Sequence, residues 1–321
     1  MAFKVSVIVP VHNGARYLGQ TLAAVIAQTH PSIELVVVDD GSTDLSLQVA
    51  ADVAPAAIVV KLAQAGGVSA ARNRGLSAST APFVCFLDQD DIWHPQHVAR
   101  QLVAFARMPQ AGAVVVPYHH WYPLADSSYA SPVSIWPSVA DERFDDAFTG
   151  WVYHQFLLDC WALTSATMVR RTALEAVGAF DPDRPYGEDW ELWLRLSQRW
   201  QFAKLGQPPV LYRQHPDQGS RKARPIDHRS DLLLQSARAH GLASRDGRAV
   251  PAARFRRTLA RYRMEFGLHQ LTHGEPALGR QALWQAWQRD PLRLRYLALA
   301  AAATVGWRPR DAGRRTKSKL T

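Results

Sequence analysis

The first 120 residues alternate between short runs that are apolar throughout and longer segments whose apolar residues recur at helical spacing. The apolar runs are residues 5–9, 35–38, 58–60, 83–87 and 114–116. A strand that is apolar at every position is buried on both faces, which is typical of a parallel sheet covered by helices. We therefore predict an α/β fold with a Rossmann-like, mostly parallel sheet flanked by helices.

The rest of the sequence departs from this alternation. Residues 118–160 are rich in Trp, Tyr, Ser, Pro and Asp and indicate loops or short strands, and a helical pattern returns near Asp189. From Arg254 onward the pattern is helical again. We assign the chain to a main domain with two halves, a basic linker and a basic helical C-terminal appendage: residues 1–117 and 118–220, then 221–253, then 254–321.

Composition excludes several classes of protein. Hydrophobic residues make up 47% of the chain and charged residues 20%, so a packed core is expected and wholesale disorder is excluded. The two cysteines, Cys85 and Cys160, form no CxxC pattern, which excludes a disulfide framework and a structural zinc site. The longest weakly polar run, residues 296–307, is shorter than the roughly twenty residues that a membrane-spanning helix needs. We expect a cytoplasmic protein.

Positive charge is concentrated at the C-terminal end. The chain has a net charge of +9, but residues 221–321 alone contain 22 Lys and Arg against 7 Asp and Glu. The first 220 residues are therefore acidic overall. The acidic first 220 residues suggest a region that binds a cation. The basic C-terminal region suggests contact with an anionic partner, such as the inner face of the cell membrane.

Carboxylates follow two of the predicted strands at the points where these strands end. The second strand is followed by one pair and the fourth by three more: Asp39, Asp40, Asp88, Asp90 and Asp91. Ligands of open parallel sheets bind at the carboxyl ends of the strands. Several carboxylates at one edge repel one another unless a cation is present, and oxygen ligands suit Mg²⁺ or Mn²⁺.

Other nucleotide-binding motifs are absent from the sequence. No GxGxxG pattern follows the first strand and no GxxxxGK[ST] pattern occurs, which argues against a dinucleotide dehydrogenase and a P-loop NTPase. Gly66, Gly67 and Gly75 form a weak glycine pattern, which we interpret as permitting close helix packing and not phosphate binding.

Five ordered blocks resemble the family 2 glycosyltransferases. They are VSVIVP with HNG (5–14), ELVVVDDGSTD (34–44), GVSAARNRG (67–75), FLDQDDIWHP (86–95) and EDWELWLRL (188–196). The resemblance covers residues 5–215. It implies the GT-A fold, a nucleotide-sugar donor and inversion at the anomeric carbon.

The resemblance also implies roles for individual residues. The nucleotide-sugar pocket would comprise Pro10, His12, Asn13, Asp40, Arg72 and Asp88, with Asp40 accepting a hydrogen bond from the base. Many relatives carry a tyrosine at the position of His12, so this difference leaves the choice of base open. Asp90 and His215 would hold the metal, Arg213 or His215 would face the diphosphate, and Asp189 would be the general base.

An acceptor site is expected between the donor half and Asp189, where aromatic residues gather. Sugars present apolar faces that stack on such rings. We assign this site to Trp121, Trp161, Ser165 and Glu188. Two structural alternatives stay open. Glu188 and Asp189 are acidic residues of the kind that the first turn of any helix favours. His215 could be a solvated loop histidine.

The predicted function is that of an inverting, metal-dependent glycosyltransferase in the synthesis of a cell-surface or secreted glycan. Its cofactor would be Mn²⁺ or Mg²⁺, its donor a nucleoside diphosphate sugar of UDP type, and its acceptor a glycan or a lipid-linked hydroxyl. The alternative is a protein that binds nucleic acid or another anionic polymer through its basic tail. No helix-turn-helix, RRM or zinc-finger signature supports that alternative, so no nucleic acid is expected. A nucleotidyltransferase would need a Gly-rich N-terminal signature, which is absent.

Overall fold

The computed structural model describes residues 3–136, 143–207, 209–219 and 224–309. Its strands are β1 (Val5–Val11), β2 (Ile33–Asp39), β3 (Ile58–Lys61), β4 (Phe83–Phe86), β5 (Ala111–Val115), β6 (Tyr118–Trp121), β7 (Thr167–Arg170), β8 (Gln201–Lys204) and β9 (Val210–Arg213). Its helices are α1 (Ala15–Ile26), α2 (Ser46–Val53), α3 (Gly67–Ser77), α4 (His97–Arg107), α5 (Pro132–Ile135), α6 (Tyr153–Phe156), α7 (Arg171–Val177), α8 (Glu188–Arg199), α9 (His228–His240), α10 (Ala252–His273), α11 (Pro276–Arg289) and α12 (Leu294–Thr304).

A seven-stranded sheet in the order β3-β2-β1-β4-β7-β5-β8 forms the centre of the first part of the chain. All neighbouring pairs are parallel except those of β7, which runs antiparallel to both β4 and β5. The prediction of a mostly parallel sheet flanked by helices is confirmed. The sequence analysis did not identify β7 as a strand of this sheet.

The central strands are buried because they are almost wholly apolar, and the polar side chain of β1, Ser6, donates a hydrogen bond to Glu34 at 2.7 Å. Every residue of β1 and β4 is buried, and α1 and α4 add Leu18, Leu22, Val98 and Phe105 to the same core. Gly75 lies where α3 packs on the sheet, and a Cβ there would be 2.3 Å from Cγ2 of Ile8. This close approach confirms the packing interpretation for Gly75, whereas a Cβ at Gly67 would meet open space, so the interpretation does not hold there.

Strands β6 and β9 pair in parallel and form a separate two-stranded sheet, which we call the ribbon. One face of the ribbon is buried, with Trp121 and Leu211 packed against Ile92. Side chains alternate between the faces of a strand, so the neighbours of Trp121 along β6 point to the other side. β9 ends at Arg213, and the chain continues directly into residues 214–216.

The chain divides into two compact units: Met1–Pro216 with Ala243–Arg248, and Asp217–Leu242 with Ala249–Thr321. The second unit is helical, and α10 and α11 approach closely at Gly267 and Gly279, where a Cβ on Gly279 would lie 2.9 Å from the Gly267 carbonyl oxygen. The predicted linker, 221–253, is not a linker throughout. It contains α9, a helix with Leu232 and Leu233 buried.

Two further expectations concern cysteine and the membrane. Cys85 and Cys160 are both thiols; Cys85 is buried, and the Cys160 thiol is 3.8 Å from the Ala162 carbonyl oxygen. Across the described ranges, no helix combines the length and the apolar character that crossing a bilayer requires.

Candidate functional site

The loop after β1 is fixed by the loop after β2. Asn13 adopts a left-handed backbone conformation with φ of 50°, which asparagine tolerates better than most residues. Its amide N–H donates to Oγ of Ser42 at 3.0 Å, and its side-chain oxygen accepts from the N–H of Thr43 at 2.8 Å. His12 is exposed beside it, with Nδ1 2.8 Å from the carbonyl oxygen of Asp40. The carboxyl ends of β1 and β2 therefore form one connected rim.

Asp40 binds the backbone at the N-terminal end of α3. Its Oδ1 accepts from the N–H of Gly66 at 2.6 Å, and its Oδ2 accepts from the N–H of Gly67 at 2.9 Å. The resemblance gave this carboxylate a nucleobase as its partner. In the structure, the two carboxylate oxygens instead accept hydrogen bonds from the backbone N–H groups at the start of α3. Pro10, at the end of β1, is buried beside it in register with Val38.

The Asp88-Gln89-Asp90 segment is held on both sides. Oε1 of Gln89 accepts from the N–H of His12 at 2.9 Å, and the Gln89 amide donates to the His12 carbonyl at 3.2 Å. Oγ of Ser165, a buried residue, accepts from the N–H of Asp88 at 3.1 Å. Ser165 thus supports the acidic segment and does not face open space, which differs from its predicted place in an acceptor site.

Arg72 joins the acidic segment to the start of α8. The side chain is only 3% exposed, and its guanidinium lies 2.7 Å from Oδ1 of Asp88 and 3.0 Å from Oε1 of Glu188. A buried arginine needs such partners because an unpaired charge in the interior is costly. The two carboxylates keep the Arg72 guanidinium charged by raising its pKa against the opposing effect of burial.

Asp90 and His215 lie side by side. Oδ2 of Asp90 is 2.8 Å from Nε2 of His215, although the two residues are 125 positions apart in sequence. An imidazole nitrogen and a carboxylate oxygen form a donor pair that suits Mn²⁺, with other positions left for water or phosphate oxygens. Over the ranges that the structure describes, no group of three or more His, Cys, Asp or Glu side chains converges as a complete metal cage.

Arg213 lies beneath the acidic segment and away from solvent. It is 1% exposed, and its guanidinium stands 4.3 Å from the ring centre of Trp121, 4.6 Å from that of Tyr17 and 4.7 Å from that of Tyr129. Its Nε donates to the Asp90 carbonyl at 2.7 Å. Aromatic rings therefore enclose the charge of Arg213, so of the two residues expected to face the diphosphate, Arg213 or His215, the structure places Arg213 away from solvent.

Asp189 is the second residue of α8 and is half-buried. Its Oδ2 lies 3.4 Å from the hydroxyl of Thr164, and its Oδ1 accepts from the N–H of Trp190 at 2.7 Å. Burial, followed by the negative charge of Glu188, raises the pKa of Asp189 to about 6, while Arg72 opposes that rise. A carboxylate with a pKa close to neutrality accepts a proton more readily than an ordinary aspartate.

The two tryptophans assigned to the acceptor site have different surroundings. Trp121 is 4% exposed beneath Arg213, and its indole N–H donates to the Ala130 carbonyl at 3.1 Å. Its ring has no free face for a sugar, so this assignment is corrected. Trp161 is partly exposed and stacks on Phe156 with ring centres 4.6 Å apart.

Sequence reasoning missed three residues that shape the site: Gln89, Thr164 and Arg213 in its buried role. Gln89 stands between Asp88 and Asp90, whose carboxylates account for the motif by themselves. Its hydrogen bond to the backbone of His12 is visible only in the structure. Thr164 lies in a short polar run, residues 164–167, and its contact with Asp189 spans 25 residues, which no local pattern predicts. No local signal identifies the three rings around Arg213, because they come from three separate segments.

Part of the chain is similar in sequence to known glycosyltransferases. The model of glycosyl transferase family 2 matches residues 6–161. A protein of Nostoc sp. named as an uncharacterized glycosyltransferase is 33% identical over 193 residues, which are 59% of this chain and 56% of that protein. The matched region therefore spans a little over half the length of this curated relative.

Solved structures show a similar fold. Staphylococcus aureus TarS 1–349 in complex with UDP-GlcNAc superposes with a TM-score of 0.61 and 18% identity, covering 94% of this chain and 87% of that one. The mannosyltransferase PcManGT from Pyrobaculum calidifontis, in complex with GDP-Man and Mn²⁺, gives 0.54 and 20%, covering 95% and 87%. The chain is thus similar to family 2 glycosyltransferases over residues 6–161, and its fold is the GT-A fold of these structures.

Proposed function

We propose that this protein is an inverting, metal-dependent glycosyltransferase that moves a sugar from a nucleoside diphosphate to a hydroxyl group. The observation that carries the proposal is the connection through Arg72. This buried side chain ties Asp88 of the acidic segment to Glu188, next to the candidate base Asp189. Donor and base chemistry would thus be coupled through one ion network centred on a buried arginine.

Asp189 is proposed as the general base. An acceptor hydroxyl is a weak nucleophile, and removal of its proton as it attacks makes the reaction feasible. The raised pKa of Asp189, about 6, suits a group that must hold that proton at neutral pH. Attack from the side opposite the leaving diphosphate would invert the anomeric carbon.

The donor set of Asp90 and His215 fits Mn²⁺ or Mg²⁺. Histidine can serve as a ligand only when neutral, and its ring nitrogen already lies at 2.8 Å from the carboxylate. A bound ion would supply positive charge against the charge that develops on the leaving diphosphate. Gln89 and Arg213 would keep Asp90 in place, the first through the His12 backbone and the second through the Asp90 carbonyl.

The donor is proposed to be a UDP sugar, with a GDP sugar as the competing possibility. TarS, one structural neighbour, was solved with UDP-GlcNAc, and PcManGT, another, with GDP-Man and Mn²⁺. His12 would stack on the base, while Asn13 and Asp40 would shape the loops around it. Arg72 and Asp88 would lie next to the sugar and the ribose.

The acceptor is proposed to be a glycan or a lipid-linked hydroxyl, with Trp161 and Glu188 near it. We further propose that the second unit contacts the anionic inner face of the cell membrane. Large apolar side chains are exposed at both ends of α12: Leu292, Leu294, Val305 and Trp307. Arg293 and Arg295 stand among them, and anionic headgroups attract each nearby arginine by about 1 kcal/mol.

Turnover of a donor panel tests the proposal. UDP-GlcNAc, UDP-Glc, GDP-Man and dTDP-Glc would be incubated with the protein and Mn²⁺, and release of the nucleoside diphosphate measured. We expect release from at least one donor, its loss in EDTA, and its loss in Asp90→Ala. Absence of release from every donor, or full activity of Asp90→Ala in EDTA, would refute the assignment.

A further inference from the structure

Residues 178–187 join α7 to α8 and lead directly into Glu188 and Asp189; we call them the α7–α8 loop. The loop contains no helix or strand, and glycines in a left-handed backbone conformation stand at both of its ends, Gly178 with φ of 82° and Gly187 with φ of 70°. Glycine restricts the backbone little. The position of the candidate base therefore depends on side chains that hold the loop.

Asn73 on α3 holds the loop through both polar groups of its side-chain amide. Its Oδ1 accepts from the N–H of Phe180 at 3.0 Å, and its Nδ2 donates to the carbonyl oxygen of the same residue at 2.7 Å. The two residues are 107 positions apart in sequence. Because a carboxamide offers an acceptor and a donor side by side, this double pairing fixes the loop in both distance and orientation.

The ring of Phe180 adds a second contact between the loop and α3. Its centre lies 5.0 Å from the Arg72 guanidinium and 4.9 Å from the ring of Phe86, which it meets edge to face, and the residue is only 3% exposed. Arg72 directly precedes Asn73 on α3, and its guanidinium forms the ion pairs of the candidate site. Two successive residues of α3 therefore contact the same loop residue, one through its backbone and one through its ring.

Arg195 holds the beginning of the loop in a different way. Its guanidinium, paired with Glu191 one turn earlier on α8, donates to the carbonyl oxygens of residues 178 and 179 at 3.0 and 2.7 Å. This contact joins the loop to the helix that follows it, so it does not fix α8 relative to α3. The Asn73 amide supplies such a link, alongside the ion pair that Arg72 forms with the first residue of α8.

We propose that Asn73 is a positioning residue for the transfer reaction: by holding the α7–α8 loop on α3, it fixes Asp189 relative to the acidic segment. This inference rests on the proposed function and gives a role to a residue that the motifs left without one. Asparagine forms helices less well than alanine, so the helix alone does not account for it. A displacement of about 1 Å in a reacting group can lower a rate by roughly 10²-fold, so a loose loop should slow the reaction.

Two substitutions and a control, all in the full-length protein, test this role. Asn73→Ala removes both hydrogen bonds. Asn73→Asp keeps the shape and an acceptor, but its carboxylate cannot donate to the Phe180 carbonyl, and it replaces the alanine variant if that one does not fold. The matched control is Ser77→Ala, because Ser77 is exposed one turn later on α3 and its hydroxyl donates to the backbone carbonyl of Asn73 at 3.0 Å. Melting curves would confirm that each variant folds.

Amide hydrogen exchange, nucleotide-induced melting shifts in Mn²⁺, and release of UDP from UDP-GlcNAc or GDP from GDP-Man would be measured. We expect both Asn73 variants to exchange faster in residues 178–190 and to lower kcat by roughly 10–100-fold, while the melting shift with UDP or GDP stays that of the wild type. In Asn73→Ala the acid limb of the kcat/KM profile should move below pH 6, because water reaching Asp189 reduces the burial that raises its pKa. The other charged groups that act on this carboxylate are unchanged in that variant: Arg72, Asp88 and Glu188. Ser77→Ala should match the wild type throughout.

Exchange equal to that of the wild type in both Asn73 variants would overturn the proposal. Faster exchange with an unchanged kcat and pH profile would also overturn it, because Asn73 would then support the fold only. Loss of the nucleotide shift together with kcat would place the effect in the donor pocket and overturn it as well. No release from any donor by the wild type would refute the proposed function, whereas normal release by the wild type and by both variants would refute the positioning role alone.

Discussion

Asp189 gives the site a testable pH dependence. Burial and Glu188 raise its pKa to about 6, so the carboxylate accepts a proton above that pH and is already protonated below it. We expect kcat/KM for a nucleotide-sugar donor to fall about tenfold per pH unit below pH 6. Asp189→Asn should lower kcat by roughly 10²–10⁴-fold and change donor binding little. Near-normal kcat in this variant would assign the base elsewhere, with Glu188 the next candidate.

The same carboxylate should cost stability when it is charged. Its folded pKa of about 6 exceeds the value of about 3.9 for an unfolded aspartate, so ionisation favours the unfolded chain. Asp189→Asn lacks this cost and should melt at a higher temperature than the wild type at pH 8. The difference should shrink as the pH falls through 6 and vanish below about 4. A Tm difference independent of pH would contradict the raised pKa.

Arg213 is predicted to position Asp90 without touching the donor. Its side chain bonds to the Asp90 carbonyl and to Gln20 within a cage of three rings. Arg213→Lys keeps the charge but loses the planar fork, so Mn²⁺-dependent UDP or GDP binding should weaken by about tenfold. The control is Arg16→Lys, whose guanidinium lies over the same Tyr17 ring but is exposed. Equal nucleotide affinity in both variants would argue against the positioning role.

At the scale of elements, close approach of α3 to the sheet gives a stability prediction. A Cβ at Gly75 would lie 2.3 Å from Cγ2 of Ile8 and 3.0 Å from Cγ2 of Val38, whereas a Cβ at Gly19 in α1 meets Val49 at an ordinary 3.4 Å. Gly75→Ala should destabilise the protein by about 1–3 kcal/mol through overpacking. Gly19→Ala should stabilise it by about 0.5–1 kcal/mol, because alanine favours the helix. Urea unfolding of both variants measures these stability changes. Equal unfolding midpoints would contradict the close packing of α3 on the sheet at Gly75.

The sequence predicted most strands but not the order in which the strands pair in the sheet. Five apolar runs correspond to β1 through β5. β1, β4 and β5 are buried throughout, whereas β3, at the edge of the sheet, leaves Ile58 and Val59 exposed although its sequence is equally apolar. The insertion of β7 between β4 and β5 depends on tertiary pairing, and its four residues are too short for a periodic signal. Likewise, Trp121 and Tyr122 are neighbours in sequence, and only the fold shows which of them is buried.

The candidate site was predicted unevenly for the same reason. Motifs identified the residues at the strand ends, and the structure brings Asp90 to His215 and Arg72 to Asp88 and Glu188. Partners that motifs do not encode, such as the Gly66 and Gly67 amides on Asp40, became visible only in three dimensions. Their roles in catalysis stay predictions.

At the scale of the whole molecule, the charge distribution predicts membrane association. Leu292 and Leu294 are 92% and 71% exposed beside arginines, in a C-terminal region of strongly positive charge. The protein should sediment with anionic vesicles at low salt and be released at high salt, because screening weakens headgroup attraction. Leu292→Glu with Leu294→Glu should reduce sedimentation, while Leu45→Glu, at a 70% exposed site in the first unit, should not. Equal sedimentation of the two variants would exclude α12 as the contact.

Nucleotide binding with and without metal tests the account most directly. Melting temperatures would be recorded with UDP and GDP, in Mn²⁺ and in EDTA, for the wild type, Asp90→Asn and His215→Ala. A bound ligand raises the Tm by mass action, so we predict a clear rise for the wild type with one nucleotide in Mn²⁺ only. Both variants should lose that rise. An equal rise in EDTA, an undiminished rise in Asp90→Asn, or no rise with any nucleotide would contradict a metal-dependent donor site at the strand ends.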